Sequence, residues 1–307
     1  MLYLYTASDA ERWSDAFRLQ LPDLDVVAWP APVDAAQVRY IVTWNPPEGF
    51  FDGFPKLEAV FAQGAGIDKL LARPDLAPNV RVVRLTDAGM SAQMVEYALF
   101  GVLRFQRDFD VYATQQANST WEPQPPRLAE ATRVSVLGLG AIGAAVASTL
   151  AGLGYRVSGW SRSPRELPGV RCVYGPTALD ALLADTDILV SVLPSTPDTR
   201  GLLDRERLAL LPDGAALINA GRGDLIDLSA LVELLDAGHL RGAQLDVFPA
   251  EPLGTDDPLW RHPKLLVTPH IAAATLIEPS VKQMADGIRL LQVGGEPAGL
   301  VERRHAY

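Results

Sequence analysis

Apolar runs of strand length alternate with helical patterns along most of this 307-residue chain, which restricts it to α/β folds built on parallel sheets. In the N-terminal third the strands fall at 2–6, 25–28, 40–43, 59–61 and 81–84, separated by breaker-rich pieces such as Asn45-Pro-Pro-Glu-Gly49. A single long helix is expected over 92–116. The proline-rich segment 118–127, with Trp121 in it, reads as a linker or projecting loop. A second αβ series opens at Arg133, with strands at 133–137, 156–160, 188–192, 216–219, 242–245 and 265–267. Its helices fit 141–153, 179–184, 205–210 and 228–237, the last capped by Asp227, and a final helix runs over 279–293. No solenoid-period repeat is present, and the length suits two domains.

Composition removes several function classes. The apolar fraction of 48% supplies a packed core, and no uninterrupted stretch approaches the roughly 20 apolar residues of a membrane span. The N-terminus reads as a first strand rather than a signal. Cys172 is the sole cysteine, so there is no intrachain disulfide or Cys-cluster metal site, which fits a cytoplasmic protein. The histidines (His239, His262, His270 and His305) show no i, i+4 pairing, so no zinc site is expected. A net charge of −10 argues against a nucleic-acid partner. A small anion would have to find local arginines, and Arg84, Arg162 and Arg222 are the informative ones.

The segment Val134-Ser-Val-Leu-Gly138-Leu139-Gly140-Ala141-Ile142-Gly143 is a buried strand entering G-x-G-x-x-G and then a helix. Glycines there permit a tight turn and close backbone approach to a pyrophosphate, while the helix N-terminus offers N–H donors. The strand before, the helix after and the second strand beyond supply the context that a bare glycine pattern lacks. An acid at the end of that second strand would bind the adenosine ribose and favour NAD. The strand ends instead in Ser161-Arg162-Ser163. A guanidinium and two hydroxyls suit a 2′-phosphate, so NADP(H) is expected to be preferred, with NAD(H) possible.

Arg222, Glu251 and His270 each follow a short apolar stretch, in Asn219-Ala220-Gly221-Arg222-Gly223, Leu245-Asp246-Val-Phe-Pro-Ala-Glu251-Pro252 and Thr268-Pro-His270-Ile271. A cation, a carboxylate and an imidazole at successive strand ends would converge where open α/β sheets bind ligands. Proton-coupled chemistry on an anionic substrate is the implication.

With these motifs in order, together with Gly64-Ala65-Gly66-Ile-Asp68 and Leu193-Pro194-Ser-Thr-Pro-Asp-Thr199, nearly the whole chain resembles the D-isomer-specific 2-hydroxyacid dehydrogenases. It looks most like the shorter bacterial glyoxylate/hydroxypyruvate reductases. The resemblance implies two Rossmann-like or flavodoxin-like domains with parallel sheets and a cleft between them. The substrate domain would be discontinuous, 1–95 plus 276–307, and the dinucleotide domain 96–275. It implies a homodimer with the Trp121 loop near the partner, and hydride transfer to a small 2-keto acid to give the D-2-hydroxy acid. His270 would be the proton donor. Glu251 would bind the far ring nitrogen and favour the imidazolium, and Arg222 would hold the substrate carboxylate and polarise its keto oxygen. Cofactor contacts would extend to Leu193, Pro194, Thr199, Ala220, Gly221, Asp246 and Ala272, with a turn-stabilising role equally open for Asp246. Substrate contacts would include Trp44, Gly64, Ala65, Gly66 and Arg84, with ordinary packing equally open for Trp44. A bulkier 2-keto acid, or a non-catalytic dinucleotide-sensing role in binding a partner protein, are the competing readings.

Overall fold

The computed structural model describes residues 1–6 and 8–301, so His305 lies outside the described residues. The chain divides into two compact units, 1–89 with 275–307, and 90–274. Its elements begin with strand β1 (Leu2–Tyr5), helix α1 (Ala10–Gln20), β2 (Val26–Ala28), β3 (Tyr40–Thr43), β4 (Ala59–Ala62), α2 (Asp68–Leu71) and β5 (Arg81–Val83). These five strands form a parallel sheet in the order β2-β1-β3-β4-β5. Tyr3, Ile41, Val60 and Val82 bury one of its faces. By strand alternation Leu2, Leu4, Tyr40, Val42 and Phe61 are buried on the other. Burial on both faces is why these strands read as unbroken apolar runs rather than alternating ones.

The second unit follows with α3 (Met90–Gln106), α4 (Phe109–Ala117), β6 (Arg133–Leu137), α5 (Ala141–Gly152), β7 (Arg156–Ser161), β8 (Val170–Tyr174), α6 (Pro176–Leu183) and β9 (Ile188–Ser191). It ends with α7 (Arg205–Leu210), β10 (Ala215–Asn219), α8 (Leu228–Asp236), β11 (Leu240–Leu245) and β12 (Leu265–Val267). Its seven strands are parallel in the order β12-β11-β10-β9-β6-β7-β8. The order reverses between β6 and β9, the switch point outside which sheets of this kind open a ligand crevice. Asp227 caps α8 by accepting the Ala230 N–H at 3.0 Å, as its sequence position suggests. The last helix, α9 (Ile277–Gln292), returns to the first unit and packs on α1.

Three expectations need correction. The helix expected over 92–116 is two helices, because Asp108 adopts a left-handed φ of 59°. No glycine or proline marks the break. The Arg241 guanidinium pairs with Asp108 and Asp110 at 2.6 Å each, so this long-range contact holds the kink residue and the first turn of α4 together. The edge strand β8 was not expected, since Val170-Arg-Cys-Val-Tyr174 is nowhere fully buried and carries no apolar run. The unit boundary falls before Met90 rather than after Val95, because α3 starts at Met90 and packs with the second unit, and Thr275 falls with the first.

Candidate active site

The three glycines of the turn after β6 serve three different purposes. Gly138 has φ of +100°, a conformation L side chains rarely adopt. A Cβ on Gly143 would lie 1.7 Å from the Gly138 carbonyl oxygen, so only glycine lets α5 come this close to the strand. Gly140 is the N-cap of α5, and a Cβ there would meet nothing within 4 Å. The second glycine therefore borders open space, where the N–H groups of Ala141, Ile142 and Gly143 begin the helix without intrahelical partners. That is the cradle a pyrophosphate needs, so the residues fit a dinucleotide. Leu139 contributes backbone only. Its side chain is buried, and a Cβ on Gly159 would lie 2.6 Å from it. Leu193, at the end of β9, closes the other side of the switch point, where a Cβ on Gly138 would lie 3.1 Å from it and one on Gly221 2.4 Å from its carbonyl oxygen.

At the end of β7, Ser161 is buried and donates its hydroxyl to the Ser163 carbonyl at 2.8 Å. It shapes the loop that presents Arg162 and Ser163, both exposed, so its donor is not available to a phosphate as its sequence position suggested. Thr199 is committed in the same way: its hydroxyl donates to the Pro194 carbonyl at 2.6 Å and accepts the Thr196 N–H at 2.8 Å. It braces the Leu193–Thr199 loop and presents Pro194 rather than its own hydroxyl.

Arg222, Glu251 and His270 follow β10, β11 and β12, three neighbours in the sheet. Asn219 sets the Arg222 turn, accepting the Gly221 N–H at 3.2 Å and donating to the Arg222 carbonyl at 3.0 Å. The Ala220 N–H continues the ladder to the Ser191 carbonyl at 3.0 Å. A Cβ on Gly223 would lie 2.0 Å from the Phe248 backbone, so this turn packs directly on the loop that carries Glu251. The Arg222 Nη1 donates to the Gly221 carbonyl at 2.8 Å, which orients the guanidinium on its own turn.

The His270 Nδ1 lies 2.7 Å from a Glu251 oxygen, with side-chain exposures of 45% and 30%. The other Glu251 oxygen accepts the Phe248 N–H at 2.9 Å. The carboxylate is thus anchored by its own loop, and an ionised Glu251 can only accept, so His270 Nδ1 carries the proton. His270 itself has φ of +56°, an uncommon conformation for a non-glycine residue and one that its surroundings must enforce.

Asp246 supplies much of that enforcement. It is 1% exposed, and its carboxylate accepts the Thr268 hydroxyl at 2.6 Å and the N–H groups of Ile271 and Ala272 at 2.8 Å each. Its backbone carbonyl accepts the His270 N–H at 3.0 Å. Of the two roles open to Asp246, the geometry displays the turn-stabilising one. Ala272 is likewise buried, its N–H spent on Asp246. Tyr97 and Thr268 were not singled out beforehand. Nothing in a lone tyrosine on a helix signals that its hydroxyl meets Thr268 Oγ1 at 2.8 Å.

In the first unit Trp44 is 44% exposed, and its ring covers Gly64, where a Cβ would lie 2.6 Å from it. Ala65 and Gly66 are half-buried in the loop after β4. Arg84 follows β5, its backbone paired with Gly299 at 2.9 Å. The loop after Trp44 is held by Arg73, which donates to the Pro46 and Pro47 carbonyls and, by two nitrogens, to the Asp75 carboxylate.

Residues 99–272 match the family described as D-isomer specific 2-hydroxyacid dehydrogenase, NAD binding domain. The chain is 39% identical to the glyoxylate/hydroxypyruvate reductase A of Serratia proteamaculans (strain 568), over 98% of either chain. A D-isomer specific 2-hydroxyacid dehydrogenase from Xanthobacter autotrophicus Py2, solved with NADPH and MES, superposes with a TM-score of 0.96 at 44% identity, covering 100% of this chain and 99% of that one. An NADPH-dependent glyoxylate/hydroxypyruvate reductase from Sinorhizobium meliloti, solved with NADP and sulfate, gives 0.93 at 31% identity, covering 100% and 99%.

Proposed function

Because this chain belongs to the D-isomer specific 2-hydroxyacid dehydrogenase family, whose members are NAD(P)-dependent oxidoreductases, we propose that it reduces a small 2-keto acid of the glyoxylate or hydroxypyruvate class with NADPH. The observation that carries the reading is the 2.7 Å pair of His270 and Glu251 on the sheet edge that also bears Arg222 and the glycine turn. Gly140 and the first amides of α5 hold the pyrophosphate, and Arg162 with Ser163 meets the 2′-phosphate. The lack of an acid at the end of β7, in Ser161-Arg162-Ser163, and the NADPH dependence of the Sinorhizobium meliloti relative both support that preference. When bound, the nicotinamide supplies the hydride. Glu251 keeps the proton of Nδ1 and stabilises a positively charged ring, and His270 delivers the proton on Nε2 to the substrate oxygen. Arg222 grips the carboxylate with a planar fork that lysine cannot reproduce. In the first unit, the amides of Ala65 and Gly66 and the Arg84 guanidinium are offered as further anion contacts.

We further propose a homodimer in the cytoplasm. Trp121 is 98% exposed, and Phe100, Phe109 and Leu128 in the same unit are further exposed apolar side chains that a second copy would cover. The test of the whole reading is a panel of 2-keto acids of increasing bulk with NADPH and NADH. Glyoxylate and hydroxypyruvate should turn over best with NADPH, and His270→Ala should abolish turnover while leaving NADPH binding intact. Near-normal turnover by His270→Ala overturns the proton-donor assignment, and tight NADPH binding with no turnover on any 2-keto acid overturns the enzymatic reading.

A further inference from the structure

The segment 268–274, which carries His270, is tied to α3 at two points four residues apart. Tyr97 reaches Thr268 at 2.8 Å. Gln93 makes a reciprocal pair with Ala274, donating to its carbonyl at 2.9 Å and accepting its N–H at 3.1 Å. Residues i and i+4 share a helix face, so one stripe of α3 holds both ends of the segment. The stripe continues through Gly101 and Phe105, which seat the helix on the sheet. A Cβ on Gly101 would lie 2.6 Å from Ile218 of β10, and the Phe105 ring lies 2.9 Å from where a Cβ on Gly242 of β11 would be.

The proton order along the chain is settled by chemistry. An ionised Asp246 only accepts, so the Thr268 hydroxyl must donate to it. The Thr268 oxygen then accepts from Tyr97, whose own proton is held firmly, since burial pushes the phenol up to about 12. Thr268 therefore donates to Asp246 and accepts from Tyr97.

We propose that Tyr97 and Gln93 are positioning residues of the active site, Tyr97 acting through the Thr268 hydroxyl and Asp246 to hold His270 in its left-handed conformation. Neither touches the reacting groups. Their role is to convert the rigid seat of α3 on the sheet into a fixed direction for the imidazole. This rests on the assignment of His270 as proton donor, and the experiment separates the two.

Thr268→Val, Thr268→Ser and Tyr97→Phe are compared with wild type and with His270→Ala. The readouts are kcat, KM, NADPH affinity, Tm and the imidazole NMR signals of His270, assigned by their loss in His270→Ala. A misplacement of about 1 Å costs on the order of 100-fold in rate, so Thr268→Val should lower kcat by about 10–100-fold. Tyr97→Phe, which leaves the Thr268–Asp246 bond in place, should lower it by roughly 3–10-fold on the same scale. KM and NADPH affinity should hold in both variants, and the His270 signals should shift. Thr268→Ser retains the hydroxyl and should recover most of kcat and the wild-type signals. Equal impairment of the valine and serine variants, or wild-type kcat and His270 signals in both Thr268→Val and Tyr97→Phe, overturns the proposal. Should wild type reduce no 2-keto acid, the proton-donor assignment fails by itself, and the His270 signals decide the positioning role alone. If Thr268→Val does not fold, Tyr97→Phe carries the decision.

Discussion

Replacing Gly140 by alanine separates a cofactor role from a folding role. At this N-cap φ is −70° and ψ −169°, extended backbone that alanine adopts, and a Cβ would have no neighbour within 4 Å. The unfolded chain loses freedom, which stabilises by about 0.4–1 kcal/mol, while alanine caps a helix less well than glycine by roughly a few tenths to 1 kcal/mol. The two nearly cancel, so Tm should stay within a few degrees of wild type. The added methyl projects beside the first amides of α5, where a pyrophosphate must approach closely. Losing one charge-assisted hydrogen bond there costs about 1.5–3 kcal/mol, or roughly 10–150-fold in Kd. Gly143→Ala offers the contrast, because its Cβ would fall 1.7 Å from the Gly138 oxygen and the turn itself must move. That variant should lose stability by about 1–3 kcal/mol or more. NADPH titration by nucleotide fluorescence, alongside thermal melts of both variants, reads both effects. Wild-type NADPH affinity in a folded Gly140→Ala would show that the open side of the turn does not face the pyrophosphate, and would refute the reasoning.

Other outcomes follow from the same geometry. Glu251→Gln keeps an acceptor for His270 Nδ1 but removes the charge, so kcat should fall by roughly 10–100-fold with little change in NADPH affinity, read by steady-state kinetics. Arg162→Ala should weaken NADPH by about 10-fold or more and leave NADH nearly unchanged, since a guanidinium–phosphate bond is worth about 1.5–3 kcal/mol. Equal losses for both nucleotides would count against the 2′-phosphate contact. The pair of Arg73 and Asp75, with side-chain exposures of 13% and 7%, holds the Asp75 carboxyl below its ordinary range. A carboxylate depressed in the folded state contributes stability that is present above its unfolded value near 4 and lost as pH falls through its folded one. Asp75→Asn should therefore cost about 3–5 kcal/mol at neutral pH, with the gap to wild type narrowing below about pH 4 in urea unfolding.

The local signals in this chain were strong where the chemistry is local. Parallel strands buried on both faces leave contiguous apolar runs, so ten of the twelve strands among the described residues lie within one residue of their expected bounds, β11 starts two residues earlier at Leu240, and β8, half-exposed at the sheet edge, leaves no such run. A turn that demands glycine at Gly138 and Gly143 writes that demand directly into the residue type. The positions of Arg222, Glu251 and His270 after β10, β11 and β12 were legible for the same reason, each following an apolar run. Partners distant along the chain left no local mark. Arg241 lies 131 residues from Asp110 and still pairs with it just past the break in the long helix. Ser161, Thr199 and Asp246 carry the polar groups that ligand contact requires, and only the folded chain shows those groups spent on their own loops. Tyr97 and Thr268 are 171 residues apart, so the support beneath His270 exists only once α3 lies on the sheet. Residue type and spacing decide which backbone conformations and which chemistry are available. Which hydrogen-bonding capacity remains for a ligand is decided by packing, because a buried donor or acceptor takes whatever partner the fold brings within reach.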